Sequence, residues 1–336
     1  MRTASLLCIV FLHACPAPTT PPGPVVLPAE ELAVEIESDI LTLEGNLALP
    51  ARTEGQGVPA IVLVHGSGPQ SRDEVLGAQL NMAFGFDIPV FAQISESLAE
   101  GGIAVLRYDK RSCTSFNNTC DNDYPVPEGD IKTSDFTTDA IVATRWLADQ
   151  EGIDPERIFV VGHSQGGALM PAILAGNANL AGGVSLAGNF RPIDTLLRFQ
   201  LDSSRTLLES LGYTEAAIDD LLGDLTAMVE ALEALRAGSF VGNYIGGLPV
   251  AFWEDAFAIG DARPGLIAQE SRPMLAINGD TDTNIPHDPE LVLWGQAGVD
   301  TLLFPCVTHA LNCVGTEIGS EVEPALLSAL SEWLLR

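Results

Sequence analysis

Short unbroken apolar runs alternate along this chain with longer stretches whose apolar residues recur every three or four positions. The runs near residues 60–65, 103–108, 157–161 and 183–187, and later Pro273–Asn278 and Thr301–Phe304, are too short for helices and predict buried strands. Residues 90–100, 135–149 and 165–176 predict helices between them, and Glu321–Leu335 predicts a terminal helix. Such alternation builds a mostly parallel sheet with helices on both faces, and residues 32–49 predict antiparallel strands at one edge. The rhythm breaks after Gly188. Residues 190–268 predict no strand; Ile218, Leu221, Leu222, Leu225, Met228, Val229, Leu232 and Leu235 fall at helical spacing, and Gly238 closes the run. The expected organisation is an α/β core of residues 31–189 and 269–336 carrying a helical cap insertion at 190–268.

Chemistry enters with Gly162-His163-Ser164-Gln165-Gly166, set between a predicted strand and a predicted helix. A sharp strand-to-helix turn places the serine at its apex, and glycine flanks it where the backbones approach too closely for a side chain. Ser164 is therefore the candidate nucleophile. Of the five histidines, His13 lies in the N-terminal leader, His65 in an upstream glycine turn and His163 beside the serine. His309 follows the strand at 301–304 and is the candidate base, whereas His287 lies too close to the candidate acid and reads as a solvated loop residue. Two aspartates follow the strand at 273–278. Asp282 sits a few residues beyond it, where a carboxylate reaches across to a histidine, and is preferred to Asp280, which is placed to tie the turn. Asp280–Asn284 also mimics the start of a calcium loop, but Ile285 and Leu291 stand where glycine and glutamate are required, so no metal is expected. His65-Gly66-Ser67-Gly68 ends another strand, and the amides of Ser67 and Gln165 are expected to form an oxyanion hole.

The chain resembles the α/β-hydrolase superfamily, in the bacterial esterase-like branch related to dienelactone hydrolases and prolyl-oligopeptidase-type catalytic domains. The resemblance spans about residues 40–336. His65–Gln70 with Arg72-Asp73-Glu74, Leu106–Arg111, Gly162–Gly167, and Gly279–Asp282 ahead of His309 carry it. It implies an acyl hydrolase with Ser164, Asp282 and His309 as its triad and no cofactor. The family pattern has glycine after Asp109-Lys110-Arg111, where this chain has Ser112 and a cysteine-bearing loop. A carboxylesterase acting on a small-molecule ester is the expectation. A peptidase or acyltransferase on the same fold is the alternative within enzymes, and a non-catalytic surface-anchored binding protein is the alternative outside them.

Composition bears on location and partners. Met1-Arg2-Thr3, the apolar Ala4–Ala14 and Cys15 predict a signal peptide over 1–15, and Leu12-His13-Ala14-Cys15 resembles a lipobox with Cys15 as the lipidation site. A proline-rich linker over 16–30 follows. Residues beyond Cys15 hold four of the six cysteines; Cys113 and Cys120, and Cys306 and Cys313, share one spacing, so local disulfides are the simplest of three connectivities. The formal charge of −29 argues against a nucleic-acid partner. The expected location is the cell envelope, with the membrane engaged only through the lipid anchor, or outside the cell.

Overall fold

The computed structural model describes residues 25–76, 87–113, 120, 131–315 and 318–336. The expected signal peptide, its Cys15 and most of the proline-rich linker lie outside the described residues.

Eight strands form one sheet: β1 (Glu30–Ser38), β2 (Leu41–Leu49), β3 (Val58–Val64), β4 (Ala104–Tyr108), β5 (Ile153–His163), β6 (Gly182–Leu186), β7 (Met274–Gly279) and β8 (Asp300–Phe304). Their spatial order is β1-β2-β4-β3-β5-β6-β7-β8. The β1–β2 hairpin and the β2–β4 pairing are antiparallel, and all other neighbours run parallel. β1 carries Glu30, Glu31, Glu35 and Glu37, a charged edge that resists pairing with another chain. Interior strands such as β4 and β6 are buried throughout, as a parallel sheet covered on both faces requires.

Among the described residues eight helices follow in chain order: α1 (Val90–Glu100), α2 (Thr133–Ala148), α3 (Gln165–Gly176), α4 (Ile193–Ser210), α5 (Glu215–Arg236), α6 (Val250–Gln269), α7 (His287–Gln296) and α8 (Pro324–Leu334). Strand alternation splits the core between them. Ala60, Val62 and Val64 of β3 join α2, α3, α6 and α7, whereas Ile61 and Leu63 join α1 and α8 on the opposite face.

Two local expectations are corrected. The terminal helix begins at Pro324 rather than Glu321, because residues 318–322 pair antiparallel with Asn312–Val314 as a ribbon. Proline suits the first helical turn, and the Glu323 carboxylate accepts from the Ala325 N–H to cap it. Within 190–268 a small antiparallel ladder, Tyr244–Ile245 with Leu248–Pro249, turns at two glycines of positive φ. α4 and α5 form a hairpin closed by Arg236 to Asp194 and Arg198 to Glu233. α6 lies against α2 and α3: the Arg263 Nε donates to the Ala168 carbonyl at 2.9 Å, and the Ser134 N–H donates to Asp255 at 2.6 Å.

Candidate active site

The sheet gathers the predicted site residues at the carboxyl ends of β3, β5, β7 and β8. Ser164 follows β5 directly, with φ 51° and ψ −115°, and its N–H donates to the Leu186 carbonyl of β6 at 2.8 Å. Non-glycine residues rarely occupy that region, so the turn is held by its surroundings. A Cβ on Gly162 would lie 2.2 Å from the Gly166 carbonyl, and one on Gly166 would lie 2.0 Å from the Val64 oxygen. Both glycines are therefore obligatory: one lets the turn fold on itself, and the other lets α3 start against the end of β3.

His309 reaches the serine from the loop after β8. Its Nε2 is 3.1 Å from Ser164 Oγ and its Nδ1 is 2.9 Å from Asp282 Oδ2. The second carboxylate oxygen of Asp282 accepts from the N–H groups of Asn284 and Ile285 at 2.9 and 2.8 Å, which fixes the carboxylate facing the imidazole. Asp280 does something else: it is exposed and accepts from the Cys306 N–H at 2.7 Å, tying the β7 turn to the histidine loop. His287 begins α7 and is partly exposed.

Disulfides Cys306–Cys313 and Cys113–Cys120 are both formed. The first closes the loop that carries His309, reinforced by Val314 N–H to the Cys306 carbonyl at 2.7 Å and Thr281 Oγ to the Val307 carbonyl at 2.7 Å. The second joins Cys113, next to Ser112, to Cys120.

A model of the alpha/beta hydrolase family matches residues 61–314, a span that runs from β3 past His309. The chain belongs to this family. It is 29% identical over 284 residues to esterase EstD of Thermotoga maritima, across 82% of this chain and 60% of that protein. This chain thus spans about 60% of the length of that curated relative. Among solved structures, Est1E from Butyrivibrio proteoclasticus aligns with a TM-score of 0.54 and 16% identity, over 90% of this chain and 97% of that one. The esterase domain of a Rhodothermus marinus protein aligns with a TM-score of 0.52 and 15% identity, again over 90% and 97%. At these identities the structural likeness is one of fold.

Beneath the serine, the α/β hydrolase buries a charged network that the sequence reading does not assign. Glu74 Oε1 accepts from the Gly66 N–H at 2.7 Å and lies 3.1 Å from His163 Nδ1, while His163 Nε2 is 2.9 Å from the His309 carbonyl oxygen. Both ring nitrogens of His163 face oxygens, an arrangement that favours the doubly protonated ring paired with the Glu74 carboxylate. Burial opposes the charge on each. It is outweighed at His163 by Glu74 and the His309 carbonyl, which raise the pKa, and at Glu74 by His163 and the Gly66 N–H, which lower it.

Lys110 is buried beside this pair. Its Nζ donates to the Gly66 carbonyl at 2.6 Å and to Gln165 Oε1 at 2.9 Å, and sits 4.2 Å from the centre of the Phe136 ring. The signal for both groups is present in the family motifs that hold Glu74 and Lys110, but adjacency in sequence says nothing of the contacts they make across the sheet.

Proposed function

We propose that this α/β hydrolase is an exported carboxylesterase-type serine hydrolase that cleaves small-molecule esters through an acyl-enzyme. The observation that carries this reading is the array Asp282–His309–Ser164, with 2.9 and 3.1 Å between successive groups. In the proposed reaction Ser164 Oγ attacks the ester carbonyl as His309 Nε2 takes its proton, and Asp282 stabilises the imidazolium through Nδ1. The amides of Ser67 and Gln165 receive the developing oxyanion. Collapse expels the alcohol, protonated by His309. Water then attacks the acyl-enzyme with the same histidine as base. No cofactor enters the scheme. The esterase name of the Thermotoga maritima relative supports it.

Residues 190–268 act in this reading as a cap governing access to the serine. α4 and α5 are its helical hairpin, and α4 is tied to the acid loop where Gln200 Nε2 donates to the Asn284 carbonyl at 2.6 Å. Export is supported by the two disulfides, which persist in oxidising compartments. Among the described residues no helix is long and apolar enough to cross a membrane. Lipidation of Cys15 would provide the membrane attachment, with the proline-rich segment as tether.

The test is turnover of p-nitrophenyl esters of graded acyl length beside matched thioesters and anilides. Esters of one length class are expected to be cleaved fastest, with Ser164→Ala folded and inactive. A folded alanine variant with the parent rate would remove Ser164 from its role, and faster anilide than ester turnover would reassign the protein as a peptidase.

A further inference from the structure

The main chain of Gly66 is held at both ends by buried charges, its N–H by Glu74 and its carbonyl by Lys110. A trans peptide points its C=O and N–H in opposite directions, and the one cis bond among the described residues is Asp288–Pro289. With the Gly66 carbonyl drawn 2.6 Å from Lys110 Nζ, the Ser67 N–H faces away from the lysine. The Gly66 N–H is held by Glu74, and a Cβ on Gly66 would lie 2.8 Å from that carboxylate and 3.2 Å from the Ser164 Cβ. The Gly66 α-carbon, from which the Gly66–Ser67 peptide leaves, therefore lies between the carboxylate and the nucleophile. The same ammonium holds the Gln165 side chain at 2.9 Å. Two further bonds brace the loop: Lys110 N–H to the Gln70 carbonyl at 3.1 Å, and Gln70 Nε2 to the Ser67 carbonyl at 3.2 Å.

We propose that Lys110 is a positioning residue for the oxyanion hole, its ammonium orienting and polarising the Gly66–Ser67 peptide and anchoring Gln165. The proposal rests on the reading of Ser164, Ser67 and Gln165 given above. A charged donor on a carbonyl withdraws electron density from the amide and strengthens its N–H as a donor. A dipole held in place before charge develops need not reorganise during the reaction. The titratable groups facing the ammonium are Glu74 and His65 of the loop after β3; adjacent Asp109 is bound to Arg72, and adjacent Arg111 to Asp139. α2 presents the Phe136 ring and α3 presents Gln165. Burial pushes Lys110 down to about 7 against the pull of Glu74, and pushes His65 down to about 4, leaving that ring neutral above this pH. Raising the pH through about 7 thus discharges the clamp.

Lys110→Met is compared with the parent by kcat and KM on a p-nitrophenyl ester, by affinity for an alkyl trifluoromethyl ketone that adds to the serine, and by fluorophosphonate labelling. Losing an oxyanion-hole donor costs roughly 10²–10³ in kcat, and a fall of about 10² is expected here with KM little changed and ketone affinity reduced in parallel. Failure of the parent itself to label at Ser164 would sink the functional reading. Labelling of both proteins with parent-like kcat, or a lowered kcat at unchanged ketone affinity, would overturn the clamp alone. If the methionine variant does not fold, Lys110→Gln, which removes the charge and keeps a polar side chain, is compared by the same three readouts, and parent-like kcat and ketone affinity in that variant overturn the proposal.

Discussion

The imidazole of His163 holds the backbone carbonyl of His309, with Nε2 2.9 Å from that oxygen and the two rings 4.9 Å apart. His163 is thus fixed to Glu74 at one nitrogen and to the candidate base's own main chain at the other, so the ion pair beneath the serine also positions the loop above it.

Breaking that pair from one side should be costly. Removing one partner of a buried ion pair costs about 3–5 kcal/mol, so His163→Ala should lower stability to denaturant by that order, and more than Glu74→Gln combined with His163→Gln, which leaves no orphan charge. Urea unfolding of both variants checks the ranking. A double variant less stable than the single would contradict the ion-pair assignment.

The same pair sets a pH window. His163 is raised, so its contribution is full below the unfolded value of 6.5 and is lost as pH rises through the higher folded value. Glu74 is lowered, so its contribution is full above 4.5 and is lost as pH falls through the lower folded value. The stability advantage of the parent over the double glutamine variant should therefore be widest between pH 4.5 and 6.5 and narrow on both sides. Tm measured across pH reads it directly; a constant difference would show that the pair is not charged.

Asp282 and Asp280 should separate cleanly. Asp282→Asn is expected to lower kcat by about 10⁴, the cost of losing the orienting carboxylate in a triad. Asp280→Asn weakens one bond to the Cys306 amide and should cost on the order of 1 kcal/mol of stability with kcat nearly kept. Steady-state kinetics on the two folded variants decide between them, and a larger kcat loss at Asp280 would reverse the roles.

Reduction of Cys306–Cys313 should loosen the loop bearing His309 before the domain unfolds. Chain-entropy arguments give about 2–3 kcal/mol for so short a closed loop, much of it local. A Cys306→Ser, Cys313→Ser variant should lose activity at temperatures where circular dichroism still reports a folded sheet. Coincident loss of both signals would mean that the disulfide supports the whole fold rather than the loop.

Two glycines should respond in opposite directions. Gly166→Ala drives a Cβ to 2.0 Å from the Val64 oxygen and should severely destabilise the protein or prevent folding. Gly223→Ala, exposed in α5 with nothing within 4 Å of the new Cβ, should stabilise by about 0.5–1 kcal/mol through helix propensity. Thermal melts of the two variants against the parent test both signs.

What the amino-acid sequence determined by itself is what depends on near neighbours. The apolar runs that become β3 to β8, the turn around Ser164 and the stop of α5 at Gly238 follow from backbone sterics and side-chain period within about a dozen residues. The Cys306–Cys313 pairing is equally local. Tertiary structure decided matters whose energy lies in contacts between distant segments. Asp280 and Asp282 are two residues apart and chemically alike; only the approach of the β8 loop directs one carboxylate to the His309 ring and the other to the Cys306 amide. Glu321 and Val322 become strand instead of helix because Asn312–Val314 lies alongside residues 318–322 to receive their hydrogen bonds. Glu74, Lys110 and His163 converge under the serine from the loops after β3 and β4 and the end of β5, and desolvation there makes each charge depend on the others. No periodicity encodes such a meeting, because the sheet order that creates it places β4 and β5 on either side of β3.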